Sequence, residues 1–128
     1  MRNFDSIVVE NQHGVSVVRF VDEKIMDTKR IQLLHDELNT VADDSKACDM
    51  LLNMENIRFL SSAAINKLIV LDKHVKSTGG EIRLTNLRPE VRDVFSITSL
   101  DRLFKIFDNQ TEAMKTFGAH KKPKGREQ

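Results

Sequence analysis

The sequence predicts an α/β domain in which a mixed sheet of four or five strands packs against about four helices. Three observations carry that expectation. Short β-rich runs alternate with helical stripes along most of the chain, turn residues separate them, and only a turn lies between the first two runs. Strands joined through helices become parallel neighbours by right-handed crossovers.

Each element can be justified in order. Ile7 to Glu10 and Val15 to Phe20 flank Asn11-Gln12-His13-Gly14, whose Asn and Gly suit a hairpin or a tight connection. Asp27-Thr28 opens the first helix, since either side chain can accept a bond from a free first-turn amide. Its inner stripe is Ile31, Leu34, Leu38 and Val41, and it is expected to fray through Ala42-Asp43-Asp44-Ser45. Cys48 to Met54 is a short buried strand, and Asn56 to Leu60 a loop crossing the sheet with Ile57 and Phe59 turned inward.

The second helix runs from Ser62 to Thr78. Ala64, Ile65, Leu68, Ile69, Leu71 and Val75 share one face, while Ala63, Asn66, Lys67, Val70, Lys73 and His74 point away. Gly79-Gly80 stops it, because glycine tolerates the left-handed conformation of a C-terminal cap. Glu81 to Asn86 alternates as a half-buried strand with Ile82 and Leu84 inward. Pro89 suits the first turn of a third helix, whose inner residues are Val91, Val94 and Phe95. Phe104 to Phe107 is a short strand, and Asn109-Gln110-Thr111 starts a last helix carrying Ala113, Met114 and Phe117.

The chain has 128 residues, enough for one domain with a core that needs no metal or disulfide. We expect residues 1–117 to form it and 118–128 to be a basic, disordered tail. That tail holds four of the 20 Lys+Arg and one of the 19 Asp+Glu, leaving 16 bases against 18 acids in the body, a net −2. A slightly acidic body is not the profile of a nucleic-acid binder. The single cysteine, Cys48, reads as a small buried residue, and no Cys/His cluster has metal spacing. No apolar run reaches signal-peptide or membrane-span length, so the expected compartment is the cytoplasm.

Enzyme motifs are absent. No GxSxG turn surrounds Ser61 or Ser62, and there is neither GxxxxGK[ST] nor GxGxxG. His13, His35, His74 and His120 are scattered and read as solvated. The expected protein is not an enzyme and uses no cofactor.

The serine pair in FLSSAAINKL offers more. A serine at a helix start caps a free amide, contributing about 1 kcal/mol. It can also be phosphorylated, since the helix terminus supplies donors and a partial positive charge to the dianion.

The stretch LLNMENIRFLSSAAINKLIVLDKHVKSTGGEIRLTNL, followed by FSITSLDRLFKIFDNQTEAMKTF, resembles the STAS domain, named for sulfate transporters and anti-sigma factor antagonists. The resemblance runs from about Val15 to Phe117 and rests on order, spacing and punctuation together. It implies a STAS-like fold and, in the antagonist branch, a partner-switching protein. Such a protein binds a combined anti-sigma factor and serine kinase when unphosphorylated, is released by phosphorylation, and is reset by a serine phosphatase.

The position matching the phosphoacceptor is Ser62, with Ser61 the second choice. Asp27 matches a family aspartate near that site, and the implied partner surface comprises Asp27, Ser61, Ala63, Asn66, Lys67 and Val70. Three positions depart from the family pattern. Ser61 replaces an aspartate, Asn53 an acidic residue of the preceding strand, and Ala64 a glycine. The alternative is a non-switching STAS module, such as an accessory subunit of an ABC lipid-transport system or a sensory scaffold.

Overall fold

A computed structural model of the chain describes residues 4–44 and 49–117. The expectations for Cys48, Ser45, His120 and the basic tail therefore lie outside the described residues.

β1 (Ile7–Gln12) and β2 (Val15–Phe20) form an antiparallel hairpin. The turn is shorter than expected. Asn11 and Gln12 extend β1, and His13-Gly14 alone reverse the chain, both at positive φ (53° and 84°). That is the pattern of a type I′ turn, whose twist matches the strands it joins.

β3 (Lys24–Ile25) leads into α1 (Thr28–Asp44), and β4 (Asp49–Asn53) follows. β5 (Phe59–Leu60) leads into α2 (Ser62–Ser77), and β6 (Ile82–Thr85) follows. α3 (Pro89–Ile97), a 3₁₀ turn at Leu100–Arg102 and β7 (Lys105–Phe107) come next. Residues 110–117 are helical and are labelled α4.

The main sheet has the order β1-β2-β4-β6-β7, and every pair after the first is parallel. The four to five strands and four helices expected from sequence are thus present. β3 and β5 add a separate two-stranded parallel ladder that periodicity does not reveal.

Side chains on successive strand residues face opposite sides of the sheet. Met50, Leu52, Ile82 and Leu84 face the large core beneath α1, α2 and α3, together with Leu34, Leu38, Leu68, Leu71 and Phe95. Val15, Val17 and Leu51 face the other way and meet Ala113 and Phe117 of α4. Because α4 covers that side, β6 is buried on both faces rather than half-buried: Arg83 and Thr85 are 3% and 0% exposed. Arg83 fits there because its charge is paired. Its guanidinium donates to Glu81 Oε1 and Thr116 Oγ1, each at 2.9 Å, and lies 4.8 Å from the centre of the Phe117 ring.

The α1 stripe is buried as expected, but the helix does not fray before Asp44, and Ala42 is core. Gly79, at φ +90°, ends α2 as its sequence requires, and Gly80 N donates to Val75 O at 3.0 Å. Val94 departs from expectation. It is 39% exposed while Val91 and Phe95 are buried. A nine-residue helix buries a narrow stripe, and Val94 falls at its edge.

Glu37 on α1 ties down the start of β1. Its carboxylate accepts bonds from Asp5 N (2.9 Å), Ser6 N (2.9 Å) and Ser6 Oγ (2.6 Å). Partial burial alone would raise its pKa, but these three bonds and the nearby Arg30 outweigh it and hold the carboxyl below its ordinary value. The unfolded chain therefore takes up the proton first. The stabilisation is complete above the unfolded pKa of about 4.3 and is lost as pH falls through the lower folded value. We expect Glu37→Gln to be about 1 kcal/mol less stable than wild type at pH 7, with a smaller gap in acid, below the unfolded value of about 4.3. Urea melts at the two pH values measure this; an equal gap at both would show that ionisation contributes nothing.

Candidate functional site

The β3–β5 ladder builds the site. Ile25 pairs with Leu60, and both are buried. Each strand then enters a helix, β3 through Met26-Asp27 into α1 and β5 through Ser61 into α2. Parallel pairing brings the two helix starts to the same end of the molecule, where α1 packs along α2. Two sets of free amides and two positive dipole ends lie there together. Neither helix has an acidic residue in its first turn.

The loops beneath are tied by backbone bonds and by the Asn56 side chain. Arg58 N and Phe59 N donate to Glu23 O at 2.7 and 3.2 Å, and Asn56 Nδ2 donates to Phe20 O and Val21 O at 3.1 and 2.8 Å. Arg30 holds the 21–27 segment against α1, its guanidinium donating to both Asp22 carboxylate oxygens at 2.8 Å. That fork is bidentate and therefore directional.

Asp27 is the N-cap of α1: its Oδ2 accepts from Arg30 N at 3.0 Å and its carbonyl from Ile31 N at 2.9 Å. Ser61 is the N-cap of α2, and its hydroxyl oxygen, carbonyl and amide are all engaged. Its Oγ accepts from Ala64 N at 3.2 Å, its carbonyl from Ile65 N at 3.0 Å, and its own amide donates to Ile25 O at 3.0 Å. Ser62 is the first residue of the helix proper and is exposed, and its hydroxyl makes no hydrogen bond to the described residues. The cap and the free hydroxyl thus belong to different serines.

The remaining predicted surface residues fall where the helical period places them. Ala63, Asn66 and Val70 are exposed and Lys67 is half-buried, on the α2 face opposite the core. Ala64 is fully buried in the main core, so its methyl fills space that a glycine would leave empty. Asn53 is engaged on the α4 side of the sheet. Its Nδ2 donates to Gln110 Oε1 at 2.7 Å and its Oδ1 accepts from Glu55 N at 2.9 Å.

Phe59 overturns an expectation. It is 46% exposed rather than turned inward. Strand alternation explains this: Leu60 points to the core, so Phe59 must point out. Ile57, the other residue expected to face inward, is fully buried. The triplets Lys24-Ile25-Met26 and Arg58-Phe59-Leu60 were the available signal, too short for any period to be read.

Among the described residues, no group of three or more His, Cys, Asp or Glu side chains stands close enough to hold a metal, and no helix is long and apolar enough to cross a membrane. The STAS domain family model matches residues 6–113. The chain belongs to the STAS domain family. This STAS chain is 26% identical over 112 residues to an anti-sigma F factor antagonist of Paenibacillus polymyxa, covering 84% of this chain and 91% of that relative. An anti-sigma factor antagonist from Mycobacterium paratuberculosis shares its fold with a TM-score of 0.75 at 22% identity, over 87% of this chain and 92% of that one. The phosphorylated form of the Bacillus cell fate determinant SpoIIAA does so with a TM-score of 0.66 at 17% identity, over 88% and 99% of the two chains.

Proposed function

We propose that this STAS domain, within residues 1–117, is a phosphorylation-gated partner switch acting in the cytoplasm. With Ser62 unmodified it binds a partner that is both anti-sigma factor and serine kinase. Phosphorylation of Ser62 breaks that complex, and a serine phosphatase restores it. Asp27, Ser61, Ala63, Asn66, Lys67 and Val70 form the surrounding contact surface.

The division of labour between the serines carries this reading. Ser61 secures the helix with its amide, carbonyl and hydroxyl, which leaves the exposed Ser62 hydroxyl available for chemistry without loss of the cap. The resemblance to antagonists of anti-sigma factors supports the partner class. The physics of release is local. A hydroxyl packs into an interface at little expense, whereas a phosphate of about −1.5 to −2 charge must shed its water and find partners there.

A second reading, a constitutive STAS interaction module, draws on Asn53 and Ser61, which leave no carboxylate at either position. One experiment separates them. Incubation with ATP, Mg²⁺ and the serine kinase of the same organism, followed by mass spectrometry, is expected to place phosphate on Ser62 and none on a Ser62→Ala variant. Phosphate on neither serine would sink the switch and favour the constitutive module.

A further inference from the structure

The main sheet ends in β1 on one side and β7 on the other. Backbone pairing fixes which groups each edge leaves open. Ser6 O accepts from Val21 N at 3.0 Å, so the even residues of β1 turn to β2, and Ile7, Val9 and Asn11 turn their N–H and C=O groups outward. At the other side, Glu81 O and Thr85 O accept from Met50 N and Met54 N, each at 2.9 Å, so Leu84 turns to β7. Leu84 then bonds the residues flanking its partner Ile106, which leaves the Ile106 N–H and C=O at the free edge.

A cavity of about 550 Å³ lies along the β7 edge. Lys105, Ile106 and Phe107 line it from β7, and Arg92 and Ser96 line it from α3. Ile106 faces the main core, whereas Phe107 and Lys105 face the α4 side, so the cavity straddles the edge. An open sheet edge beside a helix can take up an extended strand by main-chain pairing.

We propose that this edge receives β1 of a second copy of the chain, so that the sheet continues from one molecule into the next. Direction fits: β1 is antiparallel to β2, whose remaining neighbours all run parallel, so a copy shifted along the sheet without turning over brings its β1 antiparallel to β7. The layers fit as well. Ile7 and Val9 lie on the main-core side with Ile106, while Val8 and Glu10, opposite Arg19 and Val17, lie on the α4 side with Lys105 and Phe107.

Register then selects among few choices, because outward groups must meet outward groups. Val9 opposite Ile106 sets Val8 against Phe107 and Glu10 against Lys105, apolar on apolar and acid on base. Ile7 or Asn11 opposite Ile106 would set Val8 or Gln12 against Lys105 and leave both charges unmatched. Neither Glu10 nor Lys105 makes an ion pair among the described residues. The surrounding charges balance. Arg92 and Arg102 in the cavity lining are offset by Asp93 and Asp101, and Asp108 beyond it pairs with Arg92 at 3.6 Å. Near β1, Arg30 is paired with Asp22 at 2.8 Å, and Arg19, opposite Val8, donates to Gln110 at 3.3 Å. β1 also lacks the devices that block edge pairing: it has no proline, lysine or bulge, and Val8 is 58% exposed. Because two different edges meet, the contact is heterologous and builds an open array or a ring. Ser62 lies on neither edge strand, so assembly and the serine chemistry are separable.

The test is sedimentation velocity on the full-length protein from micromolar to millimolar concentration. Wild type is expected to sediment faster as concentration rises. Glu10→Lys and Lys105→Glu should each weaken association about tenfold or more, because each sets like charges face to face. An equimolar mixture of the two variants restores an attractive pair at every junction and should associate again, as should the double variant. Val9→Pro removes one outward N–H while leaving the β1–β2 ladder intact, and should also weaken association. Circular dichroism melts establish that each variant is folded. Wild type that stays monomeric throughout overturns the proposal. So does association that both charge variants retain, or a mixture that fails to recover it. A discrete dimer that Lys105→Glu leaves unchanged also overturns it, since two β1 edges would then be meeting each other.

Discussion

Ser62→Glu is expected to lose partner binding by about 100-fold relative to Ser62→Ala while its thermal midpoint stays level or rises. The two effects have opposite signs because they act at different boundaries. Within the fold, the new carboxylate sits at the first position of α2, where the amides of Ser62 and Ala63 have no intrahelical acceptor. An anion there gains about 0.3–1 kcal/mol from the helix dipole. The cap is untouched, because Ala64 N is already served by Ser61 Oγ at 3.2 Å. At the interface the same charge must be desolvated, and a 100-fold loss corresponds to about 2.7 kcal/mol. Calorimetric titration and a thermal melt on the same samples check both halves. Equal affinities for Ser62→Ala and Ser62→Glu would refute the gating role, and a large drop in the midpoint would show that Ser62 supports the fold.

The largest effect on stability is expected at Phe95. It is fully buried, and its ring meets that of Phe104 edge-on, with centroids 6.0 Å apart and planes at 62°. Truncation to alanine removes that contact and leaves a cavity between α3 and the sheet, which costs about 3–5 kcal/mol. Domains of this size are stable by about 5–15 kcal/mol, so Phe95→Ala approaches the limit of folding at 37 °C. Urea unfolding with an unchanged m-value measures the loss. Val94→Ala, one residue away but 39% exposed, is expected to fall below about 1 kcal/mol. A Phe95→Ala loss under about 1 kcal/mol would mean that α3 settles into the gap.

The elements legible in the sequence are those whose signal is local. The buried stripe of α1, the inner face of α2, the Gly79-Gly80 stop and the Pro89 start all stand where periodicity and turn chemistry place them. Ser61 and Ser62 are recognisable as a helix start for the same reason. The misreadings share the opposite cause. Phe59 and Val94 are apolar residues beside apolar neighbours, and a short run does not say which of its members faces out. Thr85 and Arg83 alternate with Ile82 and Leu84 as solvent-facing residues would, yet α4 arrives from 25 or more residues further along and buries them.

By itself, then, the sequence determined the α/β class, the order of the major elements and the position of the serine pair, because helix and strand periods and caps act over a few residues. The tertiary structure alone decided which serine is committed to the fold. Pairing of Ile25 with Leu60, 35 positions apart, directs the Ser61 amide to the Ile25 carbonyl, turns the Ser61 hydroxyl to the helix and leaves Ser62 exposed. The same pairing turns Phe59 and Met26 outward. Long-range pairing chooses among faces that local pattern leaves equivalent, and here it chooses the face on which the proposed switch lies.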